Sequence, residues 1–326
     1  MSHPNPAVGM LKRDFPAPRQ KPRVFRKHTL IDGRALSIRC IEINGQIYYS
    51  LPRQLVSIAR LEEEWFEDVA DPGFIISALA NSQGKPDIFT FWQRPPDTEP
   101  KYHYYIEWES LAVLPVSTYD HWWNKQVKGT TRNMVRKAEK AGLEVRQATF
   151  DDDFVRGMTE IFNETPVRQG RRFWHYGKDC ETIKRQFSRF LFREDLIGAY
   201  YQGELIGFVT LANAGNFGIL GQFISKLKHR DKATNNLLMA KTVETCEKRQ
   251  LPFLIYGSWS ESSLGDFKRH SGFKEAKAPR YFVPLTRRGK LALQLGLHRG
   301  WTAVIPKELT SRLKTLRSRW YDLYRR

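Results

Sequence analysis

One stretch limits the fold more than any other: "DLIGAYYQGELIGFVTLANAGNFGILGQFIS", Asp195–Ser225. It holds three apolar runs, separated by Gln202-Gly203 and by "NAGNFG". Apolar runs with turn residues at these intervals predict three antiparallel strands. A polar loop follows and becomes a helical pattern, "HRDKATNNLLMAKTVETCEKRQ", His229–Gln250. Then "LPFLIYGSW" reads as a buried strand, "SSLGDFKRHSGF" as a short helix and turn, and "YFVPLT" as a last strand. Before the meander, "TFDDDFVRGMTEIFNETP" opens a helix whose acidic first turn suits the helix dipole. "VRQGRRFWHYGKDCETIKRQFSRFL" is a polar loop leading to a second helix.

The remaining chain divides by composition. Residues 1–24 carry prolines at 4, 6, 16, 18 and 22 and few large apolar side chains, which predicts a disordered basic tail. Residues 25–120 form an aromatic-rich mixed α/β unit. Leu36, Ile38 and Cys40 alternate with polar residues, Asn44-Gly45 signals a hairpin, and "PDIFTFWQRP" and "YHYYIEWESLAVLP" read as strands. Arg60–Gln83 carries a helical pattern broken at Asp71-Pro72-Gly73. Residues 121–145 form a basic connecting helix. Arg132, Arg136 and Lys140 share one face, Met134, Ala138 and Ala141 make a narrow apolar stripe, and Gly142 ends it. The basic face is either solvated or turned to phosphate or RNA. Residues 291–326 contain an amphipathic basic helix, with Leu309, Leu313, Leu316, Trp320 and Leu323 on one face. It would dock on the domain, lie on an anionic membrane, or hold RNA.

Lys and Arg number 53 against 35 Asp and Glu, a net charge of +18 in 326 residues. That charge favours polyanionic partners without choosing among nucleic acid, anionic membrane and phosphorylated substrates. Cys40, Cys180 and Cys246 are far apart and odd in number, which argues against a disulfide framework or structural zinc and for a reducing compartment. No apolar run approaches the roughly 18 residues of a membrane span. The expected location is cytoplasmic, with peripheral membrane contact open.

The order helix–helix, meander, loop–helix, strand, short helix, strand resembles the GCN5-related N-acetyltransferase (GNAT) fold over about residues 146–286. "QGELIGFVTL" is similar to the family's hairpin, and "SSLGDFKRHSGFKEA" to its closing helix ending at "GF". The length, the aromatic unit upstream and "TTRNMVRKAEKAGLEV" resemble the FemAB-like branch, which joins two GNAT-like units. The resemblance implies an α/β fold with a mixed, mostly antiparallel sheet flanked by helices. It implies two tandem GNAT-like units, the first degenerate, with the acyltransferase unit at 146–290.

It also implies a chemistry: transfer of an acyl or aminoacyl group from acyl-CoA or aminoacyl-tRNA to an amine acceptor, with no permanently bound cofactor and no metal. tRNA is then a partner to expect. In the family's phosphate loop, Arg/Gln-x-x-Gly-x-Gly/Ala, this chain starts at Arg230 and has Ala233 and Asn235 in place of the glycines. Lys232, Thr234 and Asn236 complete a set that reads either as an anion cradle or as a plain capped helix start. Ala233 suits a negative φ there and Asn235 a left-handed one. Where many GNAT proteins have a Tyr four residues before the Gly of "GF", this chain has Lys268, an electrostatic clamp or a surface lysine. Tyr256 is the spare phenol. Gln222, on the strand before the loop, is expected to face the cleft, and no carboxylate stands out as base on that strand. Arg168, Gln169, Arg171, Tyr176 and Lys178 lie where the family covers its acceptor, and His175 is the candidate base. Arg280 and Tyr281 line the cleft or cover a sheet edge. The rival reading is a catalytically silent GNAT-like module that binds RNA or anionic membrane through its basic surface.

Overall fold

The computed structural model describes residues 22–31, 34–50, 56–69 and 71–300. Of the tail expected over residues 1–24, residues 1–21 lie outside the described residues, while Arg23 and Val24 already belong to a strand, Arg23–Ile31; of the segment expected to hold the amphipathic helix, 291–326, the part beyond 300 lies outside them as well. In chain order the elements are β1 (Arg23–Ile31), β2 (Arg34–Ile43), β3 (Gln46–Ser50), β4 (Ile58–Leu61), α1 (Pro72–Ala80), β5 (Ile88–Trp92) and β6 (Tyr105–Pro115). Next come α2 (Tyr119–His121), α3 (Gly129–Lys140), β7 (Glu144–Ala148), α4 (Asp152–Asn163), the short strands β8 (Val167–Arg168) and β9 (Arg171–Arg172), and α5 (Cys180–Phe187). The chain continues with β10 (Glu194–Tyr201), β11 (Glu204–Asn213), β12 (Gly218–Ser225), α6 (Thr234–Lys248), β13 (Phe253–Ser258), α7 (Ser263–His270), β14 (Lys274–Pro284) and α8 (Arg287–Gln294).

Two compact units result. Unit 1 takes residues up to 109 and from 278 on; unit 2 takes residues 110–277. The division differs from boundaries at 120 and 290, because residues 280–284 of β14 pair with β5 in unit 1. Both units are mixed and mostly antiparallel, as expected from the resemblance.

Unit 1 has strand order β1-β2-β3-β4-β5-β14. Its core packs Phe74, Ile75 and Leu79 of α1 against Ile41, Tyr48, Leu61, Phe89 and Phe91. Asp71 accepts a hydrogen bond from the Phe74 amide at 3.0 Å and Pro72 occupies the first turn, so the helix starts there. The helical pattern expected before Asp71 is not helix. Residues 62–66 form turns, and the Trp92 indole donates to the Glu64 carbonyl at 2.8 Å.

Unit 2 has strand order β6-β13-β12-β11-β10-β7. The β10–β11–β12 meander turns at Gln202-Gly203 and after Asn213, where the sequence placed it. One sheet face packs Val135 and Ala138 of α3 with Leu238 and Val243 of α6. The other carries Phe154, Met158 and Phe162 of α4 and Ile183 of α5. Asp151 and Asp179 cap α4 and α5, each accepting an amide hydrogen bond at 2.8 Å. On α3 the buried stripe is Thr131, Val135 and Ala138; Met134 is exposed, which shifts the apolar face by one position from that expected. Arg132 of the basic stripe donates to the Trp123 and Val127 carbonyls at 2.9 Å, so it ties the helix entry instead of facing solvent.

The units repeat one device. In unit 1, β4 leads through α1 to a parallel β5 and pairs with it only at Ile58↔Ile88 and Ala59↔Phe89. In unit 2, β12 leads through α6 to a parallel β13 and pairs with it only at Gly218↔Leu254 and Ile219↔Ile255. Beyond two residues the strands part and leave a free strand edge. Parted strands expose amides that a sheet normally consumes, which is how a strand edge comes to offer hydrogen bonds to a ligand.

Candidate active site

The site is built around β12 of unit 2. Past Ile219 its residues alternate between two sheet faces. Gln222 lies toward α4 and α5, with its Nε2 atom 3.5 Å from His175 Nε2. Phe223 lies toward the α3–α6 core, its ring 5.4 Å from that of Tyr256 and 5.7 Å from that of Phe267. The parting of β12 from β13 thus separates a polar face from an aromatic one.

On the aromatic face stands Lys268. It is 3% exposed, an unusual place for an ammonium. Its Nζ donates to the Ser258 carbonyl at 2.7 Å and sits 4.6 Å from the Tyr256 ring centre. No carboxylate pairs with it among the described residues. Burial holds its pKa below the usual lysine range. Its helix is fixed from below. The Trp122 indole, 1% exposed, donates to the Ser271 carbonyl at 2.9 Å. The Phe273 amide donates to the Lys268 carbonyl at 3.0 Å, and Gly272 turns the chain at φ +90°. This closure is the physical content of "GF": only the glycine takes that φ freely, and Phe273 enters the core. Tyr256 is pushed well above its ordinary pKa by burial, which makes it a poor acid.

On the polar face the sequence expectation for His175 changes. The imidazole is 1% exposed, stacked on Phe162 with ring centres 4.1 Å apart, and beside Trp174 at 3.9 Å. Burial, with Lys178 nearby, lowers its pKa to about 3. Such a ring stays neutral and positions Gln222; it is a weak proton acceptor. The better acceptor is Glu194, at the start of β10. Burial pushes its carboxyl up to about 7, and no group among the described residues pairs with it. The Thr210 hydroxyl fills the space left by Gly221 of β12, where a Cβ would lie 2.5 Å from its Oγ1; Glu194 Oε1 is 3.8 Å from the same point, an ordinary contact. Thr210 Oγ1 also accepts the Gln222 amide at 2.8 Å. Sequence reading missed Glu194 because it stands next to Asp195, which holds Arg249 structurally.

The segment between α4 and α5 divides. Arg168 is scaffold: it donates to the Ser225 and Ile161 carbonyls and to Glu164, each at 3.0 Å. Gln169 takes φ +51° at the hairpin tip with Gly170. Arg171 is exposed, as is Tyr176 at 46%. Lys178 stands 3.6 Å from the Trp174 ring centre, with its Nζ bonded to Gln186. These residues are accessible around His175 and Gln222.

The loop before α6 is less cationic than its sequence. Lys226 bonds Glu160 and Glu204, at 2.7 and 2.5 Å, and Lys228 bonds Glu204 at 2.6 Å. Hydrogen bonds from these two lysines hold the Glu204 carboxyl down to about 2. The Glu164 carboxylate takes the Leu227 and Lys228 amides. Lys232 lies over the Tyr201 ring at 4.3 Å. Arg230 is exposed and is the one cation of residues 226–232 without a partner among the described residues. Ala233 is left-handed, at φ +54° and ψ 33°, whereas Asn235 and Asn236 lie inside α6. The left-handed position expected at Asn235 is therefore at Ala233, which lacks the side chain that would ease it. Thr234 Oγ1 and Asn235 Oδ1 are buried without partners at the helix start. Arg280 and Tyr281 belong to unit 1. Arg280 is paired with Glu64 and Glu109, and Tyr281, 0% exposed, donates to Gln93 at 2.8 Å.

No family profile and no curated protein matches the chain. Solved structures do. The chain is similar to a crystal structure of FemX, with a TM-score of 0.55 at 11% identity over 84% of this chain and 90% of that one. It is also similar to the C-terminal domain (DUF2156) of a putative lysylphosphatidylglycerol synthetase from Agrobacterium fabrum. There the TM-score is 0.54 at 13% identity, over 79% of this chain and 87% of that one. The likeness is one of fold: the chain shares the fold of these two structures.

Proposed function

We propose that the chain is an N-acyltransferase that moves an acyl or aminoacyl group from an activated donor to an amine, with its chemistry in unit 2. The observation that carries this reading is Lys268: a buried ammonium with a carbonyl and an aromatic ring for company and no counter-ion among the described residues. A charge so placed costs folding free energy, and it is useful where negative charge develops during a reaction. The parted edge of β12 runs between Lys268 on one face and Glu194 on the other, which suits an acyl group held against that edge.

In this reading the free amides of β12 hold the donor carbonyl. Glu194, ionised in part at neutral pH, takes a proton from the acceptor nitrogen as that nitrogen attacks the carbonyl carbon. The bond from carbon to the donor's oxygen or sulfur breaks, and Lys268 stabilises the departing anion and supplies it a proton. Gln222, oriented by His175, supplies a hydrogen bond to the acceptor. The exposed Arg171 and Tyr176 and the half-buried Lys178 border the acceptor side.

The donor is a coenzyme A thioester or an aminoacyl-tRNA. The start of α6, with Arg230, Lys232, Thr234, Asn235 and Asn236, is the place for its phosphates. The carboxylates Glu160, Glu164 and Glu204 neutralise much of the charge beside that place, which disfavours coenzyme A in the usual pose and leaves both donors to be tested. No helix of the described residues is long and apolar enough to cross a membrane. Peripheral contact with an anionic membrane belongs to this proposal as an open arm for the acceptor. The test is thermal stabilisation by each donor class. A shift with either donor that is lost in Arg230→Ala supports the reading; no shift with either contradicts it, and RNA binding without donor use would favour the silent module.

A further inference from the structure

Unit 1 has a polar cavity of its own, about 340 Å³ in volume, where β4 and β5 part. Arg60 of β4, Thr90 of β5 and Glu107 and Glu109 of β6 line it, with Arg280 of β14 and His298 beyond α8. Its charges are matched unevenly. Arg280 holds two carboxylates, Glu64 and Glu109. Glu107 holds both His298, at 2.6 Å, and Arg299, at 2.7 Å. Arg60 pairs with no carboxylate among the described residues. Glu107 and Glu109 each receive their bonds through Oε1, which leaves their Oε2 atoms without partners among the described residues.

Three arginines therefore stand against three carboxylates, yet one guanidinium and two carboxylate oxygens remain unused. Two further groups are orphaned. Among the described residues Thr90, 1% exposed, has no partner for its Oγ1, and His298, 7% exposed, has none for its Nδ1. Buried polar atoms left so are costly to folding, and such groups call for a ligand or bound water. A lone anion would meet Arg60 but also the two glutamates. A lone cation would meet the glutamates but also Arg60. Ile58 and Phe282 supply an apolar wall.

We infer that this cavity binds a small zwitterion, a free α-amino acid with an apolar side chain. Its carboxylate pairs with Arg60 and the Thr90 hydroxyl, its ammonium with Glu107 and Glu109, and its side chain lies against Ile58 and Phe282. The inference concerns binding in unit 1 and stands whether or not unit 2 transfers acyl groups.

Calorimetric titration of the full chain with each of the twenty standard L-amino acids tests it. The same titration is repeated with the amide and the N-acetyl derivative of the tightest binder, and with inorganic phosphate. The expected result is saturable binding of an aliphatic or aromatic amino acid and at least tenfold weaker binding of both derivatives. Arg60→Ala should weaken binding about tenfold or more, the loss of one charged hydrogen bond, with the melting temperature unchanged because Arg60 has no ion pair to lose. Thr90→Val, which keeps the shape, should weaken it in the same direction. Absence of binding by all twenty, equal binding of either derivative, phosphate binding in their place, or an Arg60→Ala variant with unchanged affinity would each overturn the inference.

Discussion

Replacing Glu194 by Gln should raise stability and lower activity, with both effects confined to the same pH range. The natural carboxyl titrates near 7 in the folded chain, against 4.5 in a solvated glutamate. Below 4.5 it is protonated whether folded or unfolded, and the shift has no effect. Between 4.5 and 7 the unfolded chain ionises first, so folding loses stability with each unit of pH. Above 7 the loss is complete, about 3 kcal/mol at about 1.4 kcal/mol per unit. Gln cannot ionise and escapes the loss. Glu194→Gln should therefore be more stable than the natural chain by about 3 kcal/mol at pH 8, a rise in melting temperature of about 4 °C for unfolding of the whole chain, and by less than about 1 kcal/mol at pH 5. Urea unfolding at the two pH values measures this. Transfer by the natural chain should rise with pH through about 7 as the base ionises, and the variant should be at least about 100-fold slower without that rise. An equal stability difference at pH 5 and pH 8 would refute the burial argument. A variant of natural activity would refute the role of base.

Lys268→Met should leave stability unchanged or raise it near neutral pH. A lysine whose pKa is lowered by burial adds its full stability only above its unfolded value, and that stability is lost as pH falls through the folded one. Met fills similar space without charge, and transfer should fall about 100-fold or more; denaturant titration and turnover of the same samples check both. Ala233→Gly should stabilise the chain by up to about 1 kcal/mol, since alanine is strained at φ +54° and glycine is not, as thermal unfolding will show. Glu204, held near 2 by Lys226 and Lys228, contributes stability that is present above about 4.5 and lost as pH falls toward 2. Glu204→Gln should flatten the acid limb of the unfolding profile, and a limb unchanged in slope would count against the cluster.

Much of the architecture was legible from the sequence because local signals and tertiary packing agree there. The meander at Asp195–Ser225, the helix after Ala233 and the "GF" closure each carry turn residues that the structure uses as turns. The helix before Asp71 was misread because its pattern is amphipathic, while Trp92 claims the Glu64 carbonyl from outside it. Arg168 and His175 looked functional as residue types. Their partners, three acceptors for the one and an aromatic stack for the other, come from segments distant in sequence. Glu194 was invisible for the converse reason. Nothing around it in sequence differs from a surface carboxylate; its burial arises only where the meander brings other strands around it. Charge in the loop before α6 was overread because Glu160, Glu164 and Glu204 reach it across the fold.

The central claim is acyl transfer to an amine with Lys268 at the reacting centre. The most direct measurement is mass spectrometry of a small-molecule amine extract incubated with isotope-labelled aminoacyl-tRNA, and separately with labelled acyl-CoA, in the presence of the full chain. The account predicts label in a new amide bond from one of the two donors, and none when folded Lys268→Met replaces the natural chain. Amide formation at the natural rate by Lys268→Met, or no transfer from either donor by a folded natural chain, would contradict it.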